Sequence, residues 1–442
     1  MARVAGRRLP LLMVAVLLIT SLPSFAPGAL TRSDRLTGAM AQSLHVSRER
    51  ALAFEKRQGR LTLIANRLES QIGDAAGGGV WMRNGANATQ DLVVNLTTPS
   101  LFQMVQAEGA RPRLVPRSLG ELKRVDGELE AETKREAPGG YVSWYVDREE
   151  DVVRLQVARA GLGSAGVEGL LGRARELGAA VKLEIGDFQA SQPQADEYVI
   201  GGTQACLRVT VTDVCGKAEN FTKHCSLAFA VINKNSRLKF VLTAGHCVVY
   251  VLPRWLRAKW YNDKNVYIGE PRGYKYGPSD WALIAFEGQA RATYRVINPD
   301  QPPFNSKVVL RDSIATEGSQ VCNTSWLGAY CGLLFAIRST VTRPGGHTFK
   351  LNKVRGACTL PGTSGMPWIE PSSYGSWLAE GIQSMGSGAQ KVDGRWKCAG
   401  AVLGHSMDEH IAEYTSMESF KDDTNDQYAI YNGGWRGAFS AH

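Results

Sequence analysis

"KFVLTAGHCVVY" (residues 239–250) decides how the second half of the chain is read. An apolar, β-rich run ends at Thr243 and Ala244, and a histidine then stands between a glycine and a cysteine. A lone histidine beside a cysteine is ordinarily structural, so its meaning depends on its surroundings. Those surroundings are short β-rich runs, "LRVTVTDV", "SLAFAVI", "WALIAF", "KVVL" and "LLFAIRSTVT", separated by glycine, proline and asparagine turns. Many short strands of this kind argue for an antiparallel barrel or sandwich. Near the C-terminus, "DEHIAEYTSMESFKDD" (408–423) alone reads as helix.

At 442 residues the chain has room for two or three separate cores. Its formal charge of +9 raises a nucleic-acid partner, but no helix-turn-helix, zinc-finger or RNP-type pattern accompanies the basic residues. "MARVAGRR" followed by "LPLLMVAVLLITSLP" reads as a secretory signal spanning 1–29, its apolar core being short for a membrane span. All eight cysteines lie at or after Cys206. An even set in an exported chain reads as four disulfides, and no closely spaced cysteine pairs support zinc.

Residues 30–197 carry no cysteine and read as a small α+β region. "SLGELKRVDGELEAE" (118–132) opens on a serine with Glu121 three residues on, a helix start. "VSWYVDREEDVVRLQV" (142–157) and "GVWMRNGANATQDLVVNLTT" (79–98) read as hairpins, the latter turning at Asn84-Gly85. "VEGLLGRARELGAAVKLEI" (167–185) reads as a helix ending near Gly178 and feeding a strand. "FQASQPQADEYVIGG" (188–202) is polar, bears a proline and ends in paired glycines, so it reads as a linker open to proteolysis.

Two further stretches give His246 a purpose. "SDWALIAF" places Asp280 at the head of an apolar strand, where a carboxylate is buried and needs a partner. "GACTLPGTSGMPW" places Ser364 between glycines, which permit backbone turns that aim N–H groups at one spot. Acyl transfer needs such a set: a serine hydroxyl is a poor nucleophile until an imidazole takes its proton, and the imidazole needs a carboxylate to hold its tautomer. An α/β-hydrolase elbow is excluded because Met366 stands where its second glycine belongs, and because the order is His, Asp, Ser. A disulfide-stapled binding protein accounts for the cysteines but not for the three motifs together.

On these residues the chain resembles the chymotrypsin-like serine proteases of the streptogrisin and α-lytic type. "FVLTAGHC", "SDWALIAF" and "CTLPGTSG" are similar to that family's histidine, aspartate and serine motifs, "VCNTSWLGAYCG" (321–332) to an internal disulfide loop, and "GIQSMGSG" (381–388) to the substrate-binding strand. "AEGARPRLVPRSLGELKRVDGEL" and "SWYVDREEDVVRLQV" resemble its pro-region, and "YVIGGTQ" its mature start. The resemblance implies a double six-stranded antiparallel β-barrel over 198–442, with an active site between the barrels, preceded by an inhibitory, folding-assisting pro-region over 30–197. His246 would act as base and acid, Asp280 as orienter, Ser364 as nucleophile, and the N–H groups of Gly362 and Ser364 as oxyanion hole. It implies the disulfides Cys225–Cys247, Cys322–Cys331 and Cys358–Cys398, leaving Cys206 with Cys215.

The family usually carries Asp where Thr363 stands and Gly where Met366 stands, so a weakly active or inactive protease-like binding protein is the alternative. Gly356, Ala357, Ser384, Met385 and Gly386 would line the primary pocket. No acidic residue stands among them, which points to apolar side chains rather than Lys or Arg; Arg355 or His405, if turned inward, would favour an acidic one. His405 and His410 lack carboxylate or cysteine company, so no metal or other cofactor is expected. The implied partners are protein or peptide substrates and the chain's own pro-region, in a secreted monomer with no nucleic acid and no lasting membrane association.

Overall fold

The structure, a computed structural model, describes residues 32–188, 192–193, 204–208, 224–249, 259–261, 267–287, 309–325, 328–343, 347–360, 362–371, 377–387, 389–392, 395–398 and 410–431. The signal read at 1–29 lies outside them, as do most of the linker and Cys215. Among the described residues, no helix is long and apolar enough to cross a membrane.

The N-terminal region builds two small α+β units. Helix Arg48–Ala76, capped by the Ser47 side chain, buries Ala65 and Leu68 against a sheet of Gly77–Gly85, Thr89–Leu96 and Arg111–Leu114. The first two strands form the expected hairpin, but its turn is Ala86–Ala88, beyond Asn84-Gly85. Asn84 is held inside the strand instead, its amide donating to the Gly318 carbonyl at 2.8 Å and accepting from Gln90 at 3.0 Å. In the second unit, Ser118 and Glu121 close a full capping box on helix Leu119–Arg135, and helix Ala165–Leu177 ends at Gly178, whose φ of 60° terminates it. Both helices cover the sheet Val142–Asp147, Val152–Ala158 and Val181–Gly186, with Leu122, Trp144, Leu155 and Leu170 in the core.

The described residues after 224 are mainly β. Strands Gln320–Ser325, Pro367–Pro371, Trp377–Gly386, Ile411–Ser416, Thr348–Arg355 and Gly328–Thr342 pair in that order, and the last pairs back with the first. A six-stranded ring is thereby closed around Val321, Leu334, Val354, Trp368 and Tyr414. The other β-module holds the sheet Pro271–Tyr276, Asp280–Ala285, Lys239–Thr243, Ala230–Asn233 and Tyr428–Ile430 beside a shorter four-stranded one, with Val241, Trp260, Ile268 and Ile284 between them. The fold is the all-β, chymotrypsin-like one with an α+β region in front.

The helix expected over 408–423 is a correction. Ile411–Ser416 is a buried strand, and only Met417–Asp423 is helical, capped by the Ser416 hydroxyl. In "IAEYTS" the strand is imposed by two neighbours that pair with it, Thr348–Arg355 and Trp377–Gly386; long-range pairing overrides local helix preference.

The N-terminal region and the β-modules share a sheet and a core. Val142–Asp147 pairs with Gly328–Thr342, bringing Trp144 opposite Thr340. Leu36, Met40, Ala51 and Phe54 pack with Phe240, Trp281, Trp377 and Phe420.

Candidate active site

Lys239–Thr243 ends against Asp280–Ala285, pairing Thr243 with Ala282, and the chain then turns into a short helix, His246–Val249. Gly245 makes the turn because a Cβ there would lie 2.0 Å from the Lys275 carbonyl oxygen. Cys247, next to the histidine, is bonded to Cys225. The glycine therefore allows close backbone approach and the cysteine ties the histidine turn to strand His224–Ser226.

That strand also holds the serine loop. Ser226 N–H donates to the Ser364 carbonyl at 2.6 Å, and Ser226 Oγ donates to the Gly362 carbonyl at 2.9 Å. The loop consists of two successive turns, closed by Thr363 N–H to Leu360 C=O and by Met366 N–H to Thr363 C=O. Gly362 and Gly365 occupy the third position of each with φ of 87°, the left-handed conformation such turns reserve for glycine. Gly365 is doubly required, since a Cβ would meet the Ser226 carbonyl oxygen at 2.2 Å. Among the described residues, no acceptor is bonded to the N–H of Gly362 or of Ser364.

Asp280, His246 and Ser364 come together in a buried chain, each 0% exposed. His246 Nδ1 lies 2.6 Å from Asp280 Oδ2, and His246 Nε2 lies 2.8 Å from Ser364 Oγ. The other carboxylate oxygen of Asp280 accepts the His246 backbone N–H at 2.8 Å, while Ser384 Oγ donates to Oδ2 at 2.5 Å. Burial alone would push the Asp280 carboxyl up, but the His246 side chain and the donors from Ser384 and the His246 backbone outweigh it and hold it below its ordinary value. Thr415 braces the aspartate's main chain, accepting from Asp280 N–H at 2.9 Å and donating to its carbonyl at 3.2 Å. Such a chain gives a hydroxyl a proton acceptor of fixed tautomer and orientation.

Of the residues expected to line the pocket, Ala357 is buried and Gly356 N–H donates to the His410 carbonyl at 2.9 Å. Met385 packs with Phe349 and Leu351. The Ser384 side chain faces Asp280, so its contribution to a pocket is main chain. Arg355 is exposed with its guanidinium 4.8 Å over the Phe335 ring; His405 lies outside the described residues. Met385 and Gly386 pair antiparallel with Pro193 and Gln192, so a piece of the upstream chain lies along the edge read as substrate-binding. Thr363 Oγ donates to the Leu360 carbonyl at 2.6 Å, closing the loop locally where the family carries Asp, and the Met366 side chain is buried.

Cys322 is bonded to Cys331 and Cys358 to Cys398. Cys206 stands in strand Gln204–Arg208. Cys225, His246 and Cys247 lie within metal-binding reach of one another, but the disulfide leaves no thiolate to offer.

Sequence reading missed a set of contacts between the two halves. Thr62 and Gln58 on helix Arg48–Ala76 hydrogen-bond Glu370 at 2.7 and 3.3 Å. Glu370 and Glu380 are both fully buried and hydrogen-bonded to each other; burial, and for Glu380 the neighbouring carboxylate, push both carboxyls up. The only hint was two polar residues on a buried helical stripe.

Residues 49–115 match the family described as α-lytic protease pro N-terminal. Serine protease 1 of Streptomyces fradiae is 26% identical over 313 residues, which cover 69% of this chain and 75% of that protein. Streptogrisin-C of Streptomyces griseus is 25% identical over 381 residues, 83% of this chain and 70% of that one. Among solved structures, Thermobifida fusca Protease A aligns with a TM-score of 0.37 at 19% identity, covering 53% of this chain and 98% of its own. Matched in its N-terminal segment to a protease pro-region, and aligned along most of its length with two streptomycete proteases, the chain is similar to the serine proteases of the streptogrisin and α-lytic type.

Proposed function

We propose that the chain is a secreted serine endopeptidase precursor in which Ser364 is the nucleophile, His246 the base and then the acid, and Asp280 the group that orients it. The observation that carries this reading is the continuous Asp280–His246–Ser364 hydrogen-bonded chain. Attack by Ser364 Oγ on a peptide carbonyl transfers its proton to His246 Nε2. Collapse of the tetrahedral intermediate returns that proton to the leaving amine, and water then repeats the cycle on the acyl-enzyme. Gly362 and Ser364 N–H groups serve as the oxyanion hole, worth about 3 kcal/mol of barrier for each donor.

We assign 1–29 to a signal peptide, 30–197 to the pro-region and 198–442 to the protease. The pairing of Gln192–Pro193 with Met385–Gly386 supports inhibition by occupation of the substrate edge until the linker is cut. Gly356, Ala357 and the main chain of Ser384–Gly386 form the primary pocket, which takes an apolar side chain, since no carboxylate stands among them. A serine-reactive phosphonate should label Ser364 of the processed enzyme, and a Ser364→Ala precursor should accumulate uncut. Labelling elsewhere, or normal processing of that variant, would refute the assignment, and a peptide-library profile tests the pocket.

A further inference from the structure

Strand Trp377–Gly386 is irregular at one point. Gln383 pairs with Tyr414 and Met385 with Glu413, so Ser384 is an extra residue in the ladder. A β-bulge of this kind re-aims a side chain, and here it turns Ser384 Oγ onto Asp280. Something must keep the strand from relaxing into regular register, and Gln383 makes the contacts that would do so.

Gln383 is 0% exposed, and its main chain grips the serine loop: Gly365 N–H donates to its carbonyl at 2.8 Å, and its own N–H donates to the Met366 carbonyl at 2.9 Å. Its side chain spans the bulge, Nε2 donating to the Met385 carbonyl. Trp368 Nε1 donates to Gln383 Oε1 at 2.6 Å, which only one orientation of the carboxamide permits. The Trp368 ring is itself held, stacked on Tyr414 with centroids 5.2 Å apart. One residue thus links, by its main chain, the nucleophile loop and, by its side chain, the bulge and the edge along which Gln192–Pro193 lies. An apolar replacement of similar size would leave the Met385 carbonyl and the Trp368 indole buried without these partners.

We propose that Gln383 is a positioning residue that locks the Ser384 bulge, and through it the Ser384–Asp280 contact and the placement of the substrate edge against Ser364. This rests on reading Ser364 as the nucleophile.

The test is Gln383→Met and, more gently, Trp368→Phe, each made in the full-length chain, with the processed enzyme counted by phosphonate labelling. Two substrates are compared: an ester of a single blocked amino acid, and a tetrapeptide amide long enough to lie along Met385–Gly386. In labelled enzyme, kcat/KM on the tetrapeptide should fall by about tenfold, the worth of one buried hydrogen bond, and by more than on the ester. The acid limb of the pH profile should also move, because losing the Ser384 donor removes one of the bonds that hold the Asp280 carboxyl below its ordinary value. Equal proportional losses on the two substrates, or an unmoved acid limb, overturns the proposal. Should Gln383→Met fail to fold, Trp368→Phe decides on the same readouts. A wild-type enzyme that takes no label at Ser364 would instead remove the nucleophile assignment.

Discussion

Thr62 donates its hydroxyl to Glu370 at 2.7 Å, joining the pro-region helix to a buried strand of the protease across 308 positions of sequence. Gln58, one turn away, supports the contact: its amide donates to the Gln320 carbonyl at 2.8 Å and accepts from the Gln320 N–H at 2.8 Å, pairing with that backbone as a neighbouring strand would. Polar groups in an otherwise apolar interface add specificity of docking, because a misplaced helix would bury Glu370 Oε1 without the Thr62 and Gln58 donors, leaving Ser313 on the other oxygen. Thr62→Val keeps the shape and removes the donor. With residues 30–197 supplied as a separate inhibitor of the mature enzyme, this change should raise the inhibition constant by about tenfold. An unchanged constant would show that the contact contributes nothing to docking.

Glu317 makes the stability of the precursor depend on pH. It is buried where Trp81 and Met82 of the pro-region meet the protease, with the Met82 N–H donating to its carbonyl at 2.7 Å. Burial pushes its carboxyl up to about 8, against the pull of Arg148 and helped by Asp147 and Glu149. A carboxyl raised in the folded state is most favourable while protonated, so its contribution is intact below its ordinary value of 4.5 and is lost as pH climbs toward 8. Each proton so released costs about 1.4 kcal/mol per pH unit. Denaturant midpoints of the Ser364→Ala precursor should therefore fall between those limits, and Glu317→Gln should flatten the slope. Equal slopes in the two proteins would contradict the role given to this carboxyl.

What could be read in the sequence was whatever depends on neighbours in the chain. Ser118 with Glu121 caps a helix, Gly178 ends one, and Gly362 and Gly365 flank a serine, all through local backbone chemistry. The three side chains of the candidate site could be picked out because each sits at a strand end or turn with its own local signature. What was not legible depends on distant pairing. Ile411–Ser416 is a strand because two other strands demand it, and Asn84-Gly85 is not a turn because Gly318 captures the asparagine. Nothing near Ser384 announces that its hydroxyl faces Asp280 across 104 positions, or that a bulge puts it there.

The Ser384–Asp280 contact also ranks two substitutions. Asp280→Asn leaves the geometry close to intact but presents an amide to His246 Nδ1, favouring the wrong tautomer; losses in kcat on the order of 10⁴ accompany this change in serine proteases. Ser384→Ala removes one of the donors that hold the Asp280 carboxyl low, while His246 still contributes through its side chain and backbone. Its effect should be about tenfold. Steady-state kinetics on one substrate, normalised to phosphonate-labelled sites, give both values. The reverse order would mean that Asp280 is not the orienting group.

The shared sheet predicts how the protease reaches its fold. The closed six-stranded ring joins strands far apart in sequence, such as Gln320–Ser325 with Pro367–Pro371, and long-range pairings of this sort form slowly. The pro-region hairpin presents a finished edge to Gly328–Thr342. It also meets the buried Lys353, whose ammonium donates to Ser143 Oγ at 2.5 Å and to the Tyr141 hydroxyl at 3.3 Å, with Glu413 at 3.7 Å on the other side. A protease folding alone must place that lysine without the two hydroxyls, while its strands lack a template. Residues 198–442 diluted from denaturant should therefore yield almost no activity, and the addition of residues 30–197 as a separate chain should restore it, as followed by hydrolysis of a chromogenic peptide. Prompt recovery of full activity by 198–442 alone would mean that the ring closes without help and that the hairpin serves inhibition only.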